Sequence, residues 1–354
     1  MERLGSSMDK DPSFVETVVI PDASSVWDQA VATVRMPEFE PASVMEDFEL
    51  NSEVVSQLRM YITTVANLYR SRNPFHNFER ASHVIMSTIK LLQRVATTDV
   101  KKKDVSNEKE YYDFTFGIST DPLTKFAIVF SALIHDVDHA GVSNGHLVKE
   151  DDPIAVIYEG LRSMEQHSFT LAFELLMEDS YTKLREALYS SREEFNRFRQ
   201  LCINCVIATD VFDKDLKTFR EDRWKRAFAE DSSCLSEEEA WHCKATITIE
   251  YIIQASDVAH TMQHWHVYQR WNQRLFQEMY AAYKAGRGDK DPSEGWYEGK
   301  LWFFDNYVIP LAQKLRLDCD QLLDFATQNR IEWEKKGGDI VVNWTKEEEG
   351  RGSK

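Results

Sequence analysis

The sequence predicts an all-α protein, built as a compact bundle of many helices. Apolar residues recur at intervals of three and four along most of the 354 residues, as amphipathic helices require. No stretch shows the sustained polar and apolar alternation that is typical of a half-buried strand. Hydrophobic residues make up 43% of the chain, which can supply a substantial core.

The helices follow one another from their apolar spacing and their boundary residues. The first begins at Ser52 and ends before Asn73-Pro74, and that proline suits the first turn of the next helix. After a charged loop, Thr120-Asp121-Pro122 begins a strongly apolar helix that Gly141 ends. Further helices are expected over roughly 152–160, 163–178, 192–211, 213–228, 236–257, 264–285, 300–316 and 319–336.

One helical domain is expected over residues 49–338, because no interior linker rich in glycine, serine or proline divides the pattern. Residues 1–48 are acidic, carry Pro21, Pro37 and Pro41 and lack periodicity, so we expect a flexible N-terminal arm. Residues 339–354 end in TKEEEGRGSK and are expected to form a disordered tail.

Charge and composition exclude several classes of partner. The net charge of −17 repels nucleic acid, and the compact basic run at Lys101 to Lys103 is too short to offset it. No apolar run approaches the roughly 20 residues of a membrane span, and the N-terminus lacks the apolar core of a signal peptide. Five cysteines without regular spacing suit a reducing compartment, and Cys202 and Cys205 are expected to pack in a helix. We expect a cytoplasmic location.

The first candidate site lies in FSALIHDVDHAGVSN, residues 130–144, where His135, Asp136 and His139 follow an apolar helix. Neutral imidazole and carboxylate are ligands that divalent metals prefer. The alternative is that His135 and Asp136 cap the helix and bond each other.

Three further stretches contain candidate site residues. His76, Arg80 and His83 are spaced by four and three and share a helical face. Asp257 ends the apolar run ITIEYIIQASD, where a buried carboxylate needs a metal, a cap or an ion pair. Glu165 begins a helix, whose positive end it would favour in any case. Taken singly, each residue has an ordinary structural explanation.

Together, these motifs resemble the catalytic domain of class I cyclic-nucleotide phosphodiesterases, most closely the algal and protist branch. The resemblance rests on FHN, LIHDVDHAGVSN, MEQH, ATDVFDKDLK, SDVAHTMQHWHVYQRWN and WFFDNYVIPL in that order, from about Tyr69 to Trp333. It implies a helical bundle of the phosphodiesterase (HD-type) fold with a central pocket for two divalent metals, usually zinc with magnesium or manganese.

The resemblance also implies roles for the candidate residues. His135, Asp136 and Asp257 match three of the four ligands of the first metal, with Asp136 bridging to the second. The metals would activate a hydroxide that attacks the cyclic phosphate. His76 matches the general acid, and Glu165 matches a carboxylate that holds it. His139 matches a residue beside the metal centre.

The chain departs from the family pattern at the fourth metal ligand, where Arg80 replaces a histidine. Arginine has no lone pair to offer and stays protonated. If Arg80 points inward, its guanidinium takes the place of the metal and pairs with Asp136 or Asp257; if it points outward, a three-ligand site remains. His83, one turn later, is not expected to substitute.

A second departure lies in the nucleotide pocket. Lys300 stands where the family has the glutamine that bonds the purine, whereas the stacking residue is retained as Phe303. A lysine only donates, so it could serve guanine O6 or purine N7, or point to solvent. The choice between cAMP and cGMP stays open.

The sequence therefore predicts a metal-dependent hydrolase that opens 3′,5′-cyclic nucleotides to 5′-monophosphates, acting in signal transduction. The alternative is a catalytically impaired relative that binds cyclic nucleotide or regulates a partner, which Arg80 favours. A helical His-Asp hydrolase acting on another phosphate ester is a third interpretation. The resemblance implies a cyclic-nucleotide substrate, and it is compatible with a homodimer or with a fusion or association with a cyclase or receptor.

Overall fold

The computed structural model describes residues 31–39, 51–97, 108–228, 235–288, 290–315 and 320–351. Within those ranges the chain forms helices and loops and no strand, which confirms the all-α prediction. The α-helices of these ranges are α1 (Ser52–Leu68), α2 (Phe78–Thr97), α3 (Glu108–Phe114), α4 (Pro122–Ile134), α5 (Asn144–Lys149), α6 (Pro153–Ile157), α7 (Ser163–Leu176), α8 (Thr182–Leu188), α9 (Arg192–Ala208), α10 (Lys214–Phe228), α11 (Glu237–Asp257), α12 (Trp265–Lys284), α13 (Trp296–Phe303), α14 (Ile309–Lys314) and α15 (Asp320–Arg351).

Helix α4 is the centre of the first half of the bundle. Asp121 caps its first turn by accepting from the Thr124 amide at 3.1 Å, and Pro122 occupies a position where no amide proton is needed. The helix is apolar on nearly all sides, so it packs against both α2 and α9. This packing buries the chain up to His135, which directly follows α4.

Two large hydrophobic clusters and a smaller third one form the core of the described residues, and α11 borders both large clusters. The first includes Ile128 and Phe198, whereas the second includes Phe276 and Trp333. Ile249 of α11 joins the first cluster and Tyr251 joins the second. Because α11 packs against both clusters, its last residue, Asp257, lies in the interior of the bundle.

Helix α15 extends further than the sequence predicts, since it continues to Arg351 rather than ending near residue 336. Val341 and Trp344 are buried, and the Trp344 ring lies 5.7 Å from Phe276 and 6.0 Å from Trp333 between centroids. The expectation of a disordered tail from residue 339 therefore differs from the structure, because these apolar side chains add to the second cluster. Residues 352–354 lie outside the described part.

Part of the expected N-terminal arm is packed against the domain. The Val34 amide donates to Thr246 Oγ1 at 2.9 Å, the Met36 amide donates to His242 Nδ1 at 3.2 Å, and both side chains are buried. Residues 31–39 thus differ from the flexible arm that was expected. The remainder of the arm, residues 1–30 and 40–48, lies outside the described residues, as does the Lys101 to Lys103 run.

Several local details were not predicted. The charged loop before α4 contains helix α3, and short helices α5 and α8 were absent from the prediction. The helix expected over 300–316 is interrupted by a π-helical turn, Phe304–Val308, immediately before Pro310. Proline lacks an amide proton and crowds the preceding turn, which accounts for the irregular hydrogen bonding there.

Two further predictions, on membrane spans and on cysteine packing, can be compared with the described residues. None of the helices there is both long and apolar enough to cross a lipid bilayer. Cys202 and Cys205 are buried free thiols on α9, which confirms their packing role.

Candidate active site

Two helices bring the predicted metal ligands together. His135 and Asp136 follow the C-terminus of α4, and Asp257 is the last residue of α11. One ligand atom from each of these three side chains lies within 4.8 Å of the others. The predicted cluster is therefore assembled, at the junction of two buried helices.

Arg80 of α2 points inward, into this cluster. Its Nη1 donates to Asp136 Oδ2 at 2.5 Å and lies 3.0 Å from His135 Nε2. Its Nη2 donates to Asp257 Oδ1 and lies 3.4 Å from the Asp257 carbonyl oxygen. Of the two orientations that the sequence left open, the structure has the one in which the guanidinium bridges both carboxylates.

The charges in this cluster are balanced by the protein itself. Burial opposes charging of His135, yet Asp136 and Asp257 raise the pKa of its imidazole to about 10. Against the same opposition from burial, His135 and Arg80 hold the pKa of Asp136 well below its usual range. Because Nδ1 faces the Ala132 carbonyl at 3.0 Å, the second imidazolium proton is on Nε2, 3.0 Å from Asp136 Oδ2 and 3.2 Å from Asp257 Oδ1. Two cations thus face two carboxylates.

The chemistry of the donor set suits a divalent metal, but the arrangement does not fit one while Arg80 lies inward. Oxygen and imidazole nitrogen are suitable ligands, and their spacing is short enough. However, the guanidinium already engages both carboxylates. A divalent ion bound to the same oxygens would be placed beside a permanent positive charge.

A second group lies beside the first, around His76. The His76 ring stacks on that of His139 with centroids 3.7 Å apart and planes inclined at 24°. Glu278 of α12 bonds His76 Nδ1 through Oε1, and its Oε2 accepts from the backbone amides of Phe75 and His76 at 2.9 and 3.0 Å. His76, Asp136 and His139 form the second candidate metal-binding group among the described residues.

The pKa values of the two stacked imidazoles are shifted in opposite directions. Burial opposes charging of His76, but the carboxylate of Glu278 outweighs it and raises the pKa of His76 above the usual value. Burial and the charge on His76 lower the pKa of His139 to about 3. His139 Nδ1 accepts from the Gly141 amide at 3.1 Å, as a neutral imidazole can.

Glu165 lies elsewhere than its predicted role requires. It accepts from Asn144 Nδ2 at 2.8 Å, whereas the carboxylate that holds His76 is Glu278. The assignment of Glu165 as the holder of His76 is therefore corrected, because α12 rather than α7 supplies that carboxylate. Burial and the nearby Asp210 carboxylate raise the pKa of Glu165 to about 7.

Glu278 was missed by the sequence analysis, although a signal for it exists. It lies seven residues after the buried Trp271 on α12 and so falls on the same helical face. An acidic side chain on a buried face needs a partner. That partner could have been sought among the candidate histidines.

The loop between Asp136 and His139 is fixed by an ion-pair network. Asp138 adopts a left-handed backbone conformation, with φ of 56°, which is unfavourable for a residue with a side chain. Arg70 Nε donates to its Oδ1 at 2.6 Å and His167 Nε2 lies 3.0 Å from its Oδ2. These contacts hold the loop that carries Asp136 and His139.

Aromatic side chains surround the predicted nucleotide residues. Phe303 stacks on Tyr307 with centroids 5.2 Å apart, and Phe212 lies 6.3 Å from Phe303 and is 73% exposed. The Lys300 ammonium lies 4.4 Å from the Trp296 ring centroid and 5.8 Å from that of Phe303. Burial lowers the pKa of Lys300 to about 8. A planar group could stack beside Phe303 within reach of this ammonium.

Comparison with known proteins finds related sequences. The model of the 3′5′-cyclic nucleotide phosphodiesterase family matches residues 75–325. A probable 3′,5′-cyclic-AMP phosphodiesterase of Caenorhabditis elegans is 27% identical over 313 residues, covering 82% of this chain and 41% of the relative. A dual-specificity calcium/calmodulin-dependent 3′,5′-cyclic nucleotide phosphodiesterase of Mus musculus is 24% identical, covering 64% of this chain and 27% of the relative. The chain thus spans less than half the length of these relatives.

Solved structures support the same fold. Two crystal structures of the phosphodiesterase domain of the Salpingoeca rosetta rhodopsin phosphodiesterase superpose with TM-scores of 0.61 and 0.63, at 23% and 21% identity. The first covers 83% of each chain and the second covers 97% of each. The family model spans most of the chain and contains both groups of site residues, so this chain belongs to the 3′5′-cyclic nucleotide phosphodiesterase family.

Proposed function

We propose that this chain is a catalytic domain that hydrolyses a 3′,5′-cyclic nucleotide, cAMP or cGMP, to the 5′-monophosphate. The observation that carries the proposal is the hydrogen-bonded His76–Glu278 pair, which lies beside the Asp136 carboxylate within the family match. The names of the relatives support a cyclic-nucleotide substrate.

His76 is the proposed general acid. Glu278 occupies its Nδ1, so the proton available for transfer is on Nε2. Opening the cyclic phosphate leaves a charged 3′ oxygen, and protonation of that oxygen by an imidazolium speeds its departure. Glu278 thus acts by keeping His76 charged and oriented.

Glu165 is given no catalytic step, because its hydrogen bond is with Asn144 Nδ2 and the carboxylate that holds His76 is Glu278. No step is assigned to a divalent metal, since the inward Arg80 opposes binding between Asp136 and Asp257. Two divalent metals, zinc with magnesium or manganese, stay a prediction for this chain that rests on the family resemblance.

A second candidate function is cyclic-nucleotide binding without turnover. The observation that favours it is the bidentate contact of Arg80 with both carboxylates, which removes them from any metal-assisted role. The aromatic side chains around Phe303 would still hold a base. Such a chain would report nucleotide concentration to a partner.

Partners and location stay predictions for this chain. We propose a cytoplasmic domain that acts as a homodimer or in association with a receptor or cyclase. The rhodopsin fusion named for the two structural neighbours is compatible with such an association.

Replacing His76 by alanine should reduce hydrolysis of the better substrate by about 10²–10⁴-fold, which is the usual contribution of a positioned acid. Hydrolysis of cAMP and cGMP would be followed by chromatography of the 5′-monophosphates at pH 7. His83→Ala is a matched control, because His83 lies on α2, seven residues after His76, but bonds Gln263 at 2.9 Å.

Two outcomes of this assay would contradict the proposal. Full turnover in His76→Ala would remove the histidine from the mechanism. Nucleotide binding without turnover, in both the unaltered chain and Arg80→His, would instead support the binding function. Circular dichroism of each variant checks that the fold is intact.

Replacing Lys300 by glutamine should reduce the difference in affinity between cGMP and cAMP. An ammonium can donate to the N7 and O6 acceptors of guanine, but adenine presents an amino donor where guanine has O6. We expect the unaltered chain to bind cGMP about tenfold more tightly than cAMP, the worth of one good hydrogen bond. Calorimetric Kd values test this, with the exposed Lys284→Gln as control. Equal affinities in the unaltered chain would refute it.

A further inference from the structure

The guanidinium of Arg80 lies between the side chains that would bind a metal. Each of its two terminal nitrogens donates to a different carboxylate: Nη1 to Asp136 and Nη2 to Asp257. Each carboxylate belongs to a different segment, one following α4 and the other ending α11. The arginine on α2 therefore links three helices at one point.

The position of this guanidinium is firmly held. Arg80 is only 5% exposed, and its guanidinium carbon lies 4.4 Å from the centroid of the Phe75 ring. Its backbone amide donates to Asn77 Oδ1 at 3.1 Å in the first turn of α2. Moving the side chain outward would leave the buried Asp257 carboxylate and the partly buried Asp136 carboxylate without their main partner, which is costly.

We propose that Arg80 is a built-in cation that takes the place of the first metal, so that this chain holds Asp136 and Asp257 together without binding zinc there. Identification of this position as the metal site rests on the proposed function, but the contacts themselves do not. The guanidinium fork matches two carboxylates in the way that a shared metal ion would. Unlike a metal, it offers no exchangeable position for water or substrate.

The inference follows from competition for the same oxygen atoms. A zinc ion needs lone pairs from both carboxylates and from His135 Nε2, and Arg80 contacts all three of these atoms. A histidine at position 80 would instead add a ligand. Removing a residue that only supports a metal ligand lowers metal affinity by about 10–100-fold, and a change in the ligand itself should have a larger effect. We therefore expect Arg80→His to bind zinc more tightly than the unaltered chain by about 100-fold or more.

The test is a metal count, which does not depend on activity. The unaltered chain, Arg80→His and Arg94→His are stripped with chelator, dialysed against zinc, freed of excess metal and analysed by plasma mass spectrometry. Arg94 is an exposed arginine on the same helix, so its replacement is a matched control. His135→Ala in each background shows whether any bound zinc is at the site.

We expect about one zinc per chain in Arg80→His, lost again with His135→Ala, and none at this site in the other two proteins. Stoichiometric zinc in the unaltered chain that disappears with His135→Ala would overturn the inference. Absence of zinc from a folded Arg80→His would overturn it as well, because the other residues would then not form a metal site.

A second measurement covers the case in which Arg80→His does not fold. In the unaltered protein, nitrogen-15 spectra should show guanidinium protons of Arg80 that exchange slowly and do not change when zinc is added. A zinc-dependent loss of those signals would overturn the inference. Failure of hydrolysis would leave both results intact, so the inference and the proposed function can fail separately.

Discussion

Arg80→His should raise kcat/KM for the preferred cyclic nucleotide by about 100-fold or more when zinc and magnesium are supplied. That factor corresponds to about 2.7 kcal/mol of transition-state stabilisation, and metal ions commonly supply several kcal/mol to attack on a phosphate. In the unaltered protein, the cation at this position is a guanidinium that is committed to two ion pairs. It neutralises the carboxylates but activates no water.

The measurement is initial-rate hydrolysis of cAMP and cGMP, with and without added metals. Arg94→His should behave as the unaltered chain does. The increase should vanish without metal and in Arg80→His combined with His135→Ala. An equally large rise in Arg94→His would show a general effect of the metals, and a metal-independent rise in Arg80→His would contradict the account.

Arg80→Ala should lower the free energy of unfolding by about 3–5 kcal/mol, because it breaks one buried and one partly buried ion pair and leaves their acidic partners uncompensated. The side chains concerned are well shielded: Arg80 is 7% exposed, Asp136 15% and Asp257 11%. Urea unfolding followed by circular dichroism gives the value. Arg94→Ala, at an exposed position, should change it by less than about 0.5 kcal/mol.

The decrease in the free energy of unfolding caused by Arg80→Ala should depend on the charges of Asp136 and Asp257. In a background with Asp136→Asn and Asp257→Asn, the same change should cost much less, because no uncompensated charge remains. Zinc should restore stability to Arg80→Ala and have little effect on the unaltered chain. An equal loss in both backgrounds would mean that Arg80 acts through packing on Phe75 rather than through its charge.

The fold was predictable because local signals agreed with one another. The apolar spacing of α4, its Asp121 cap and Pro122 all indicate the same helix, and the structure places them as expected. The length of α15 was not predictable, because TKEEEGRGSK has the composition of a disordered segment. Burial of Trp344 against distant aromatic rings outweighs that composition, and such contacts are not visible in a local sequence window.

The site was predictable in its residues but less so in its contacts. The sequence placed His135, Asp136 and Asp257 in one cluster through the family resemblance, and the structure brings them together. It left the direction of Arg80 open, because both orientations satisfy the helical pattern. It missed Glu278, which lies 202 residues from His76 in sequence. Pairs so far apart are decided by how helices pack, and helical spacing does not report that packing.

The central claim is that a guanidinium, rather than a metal, joins Asp136 and Asp257. Its most direct test is a crystal structure of the unaltered chain grown with zinc, with anomalous data collected at the zinc absorption edge. The account predicts density for the Arg80 guanidinium between the two carboxylates and no anomalous peak among them and His135. An anomalous peak at that point, with Arg80 turned away, would contradict it.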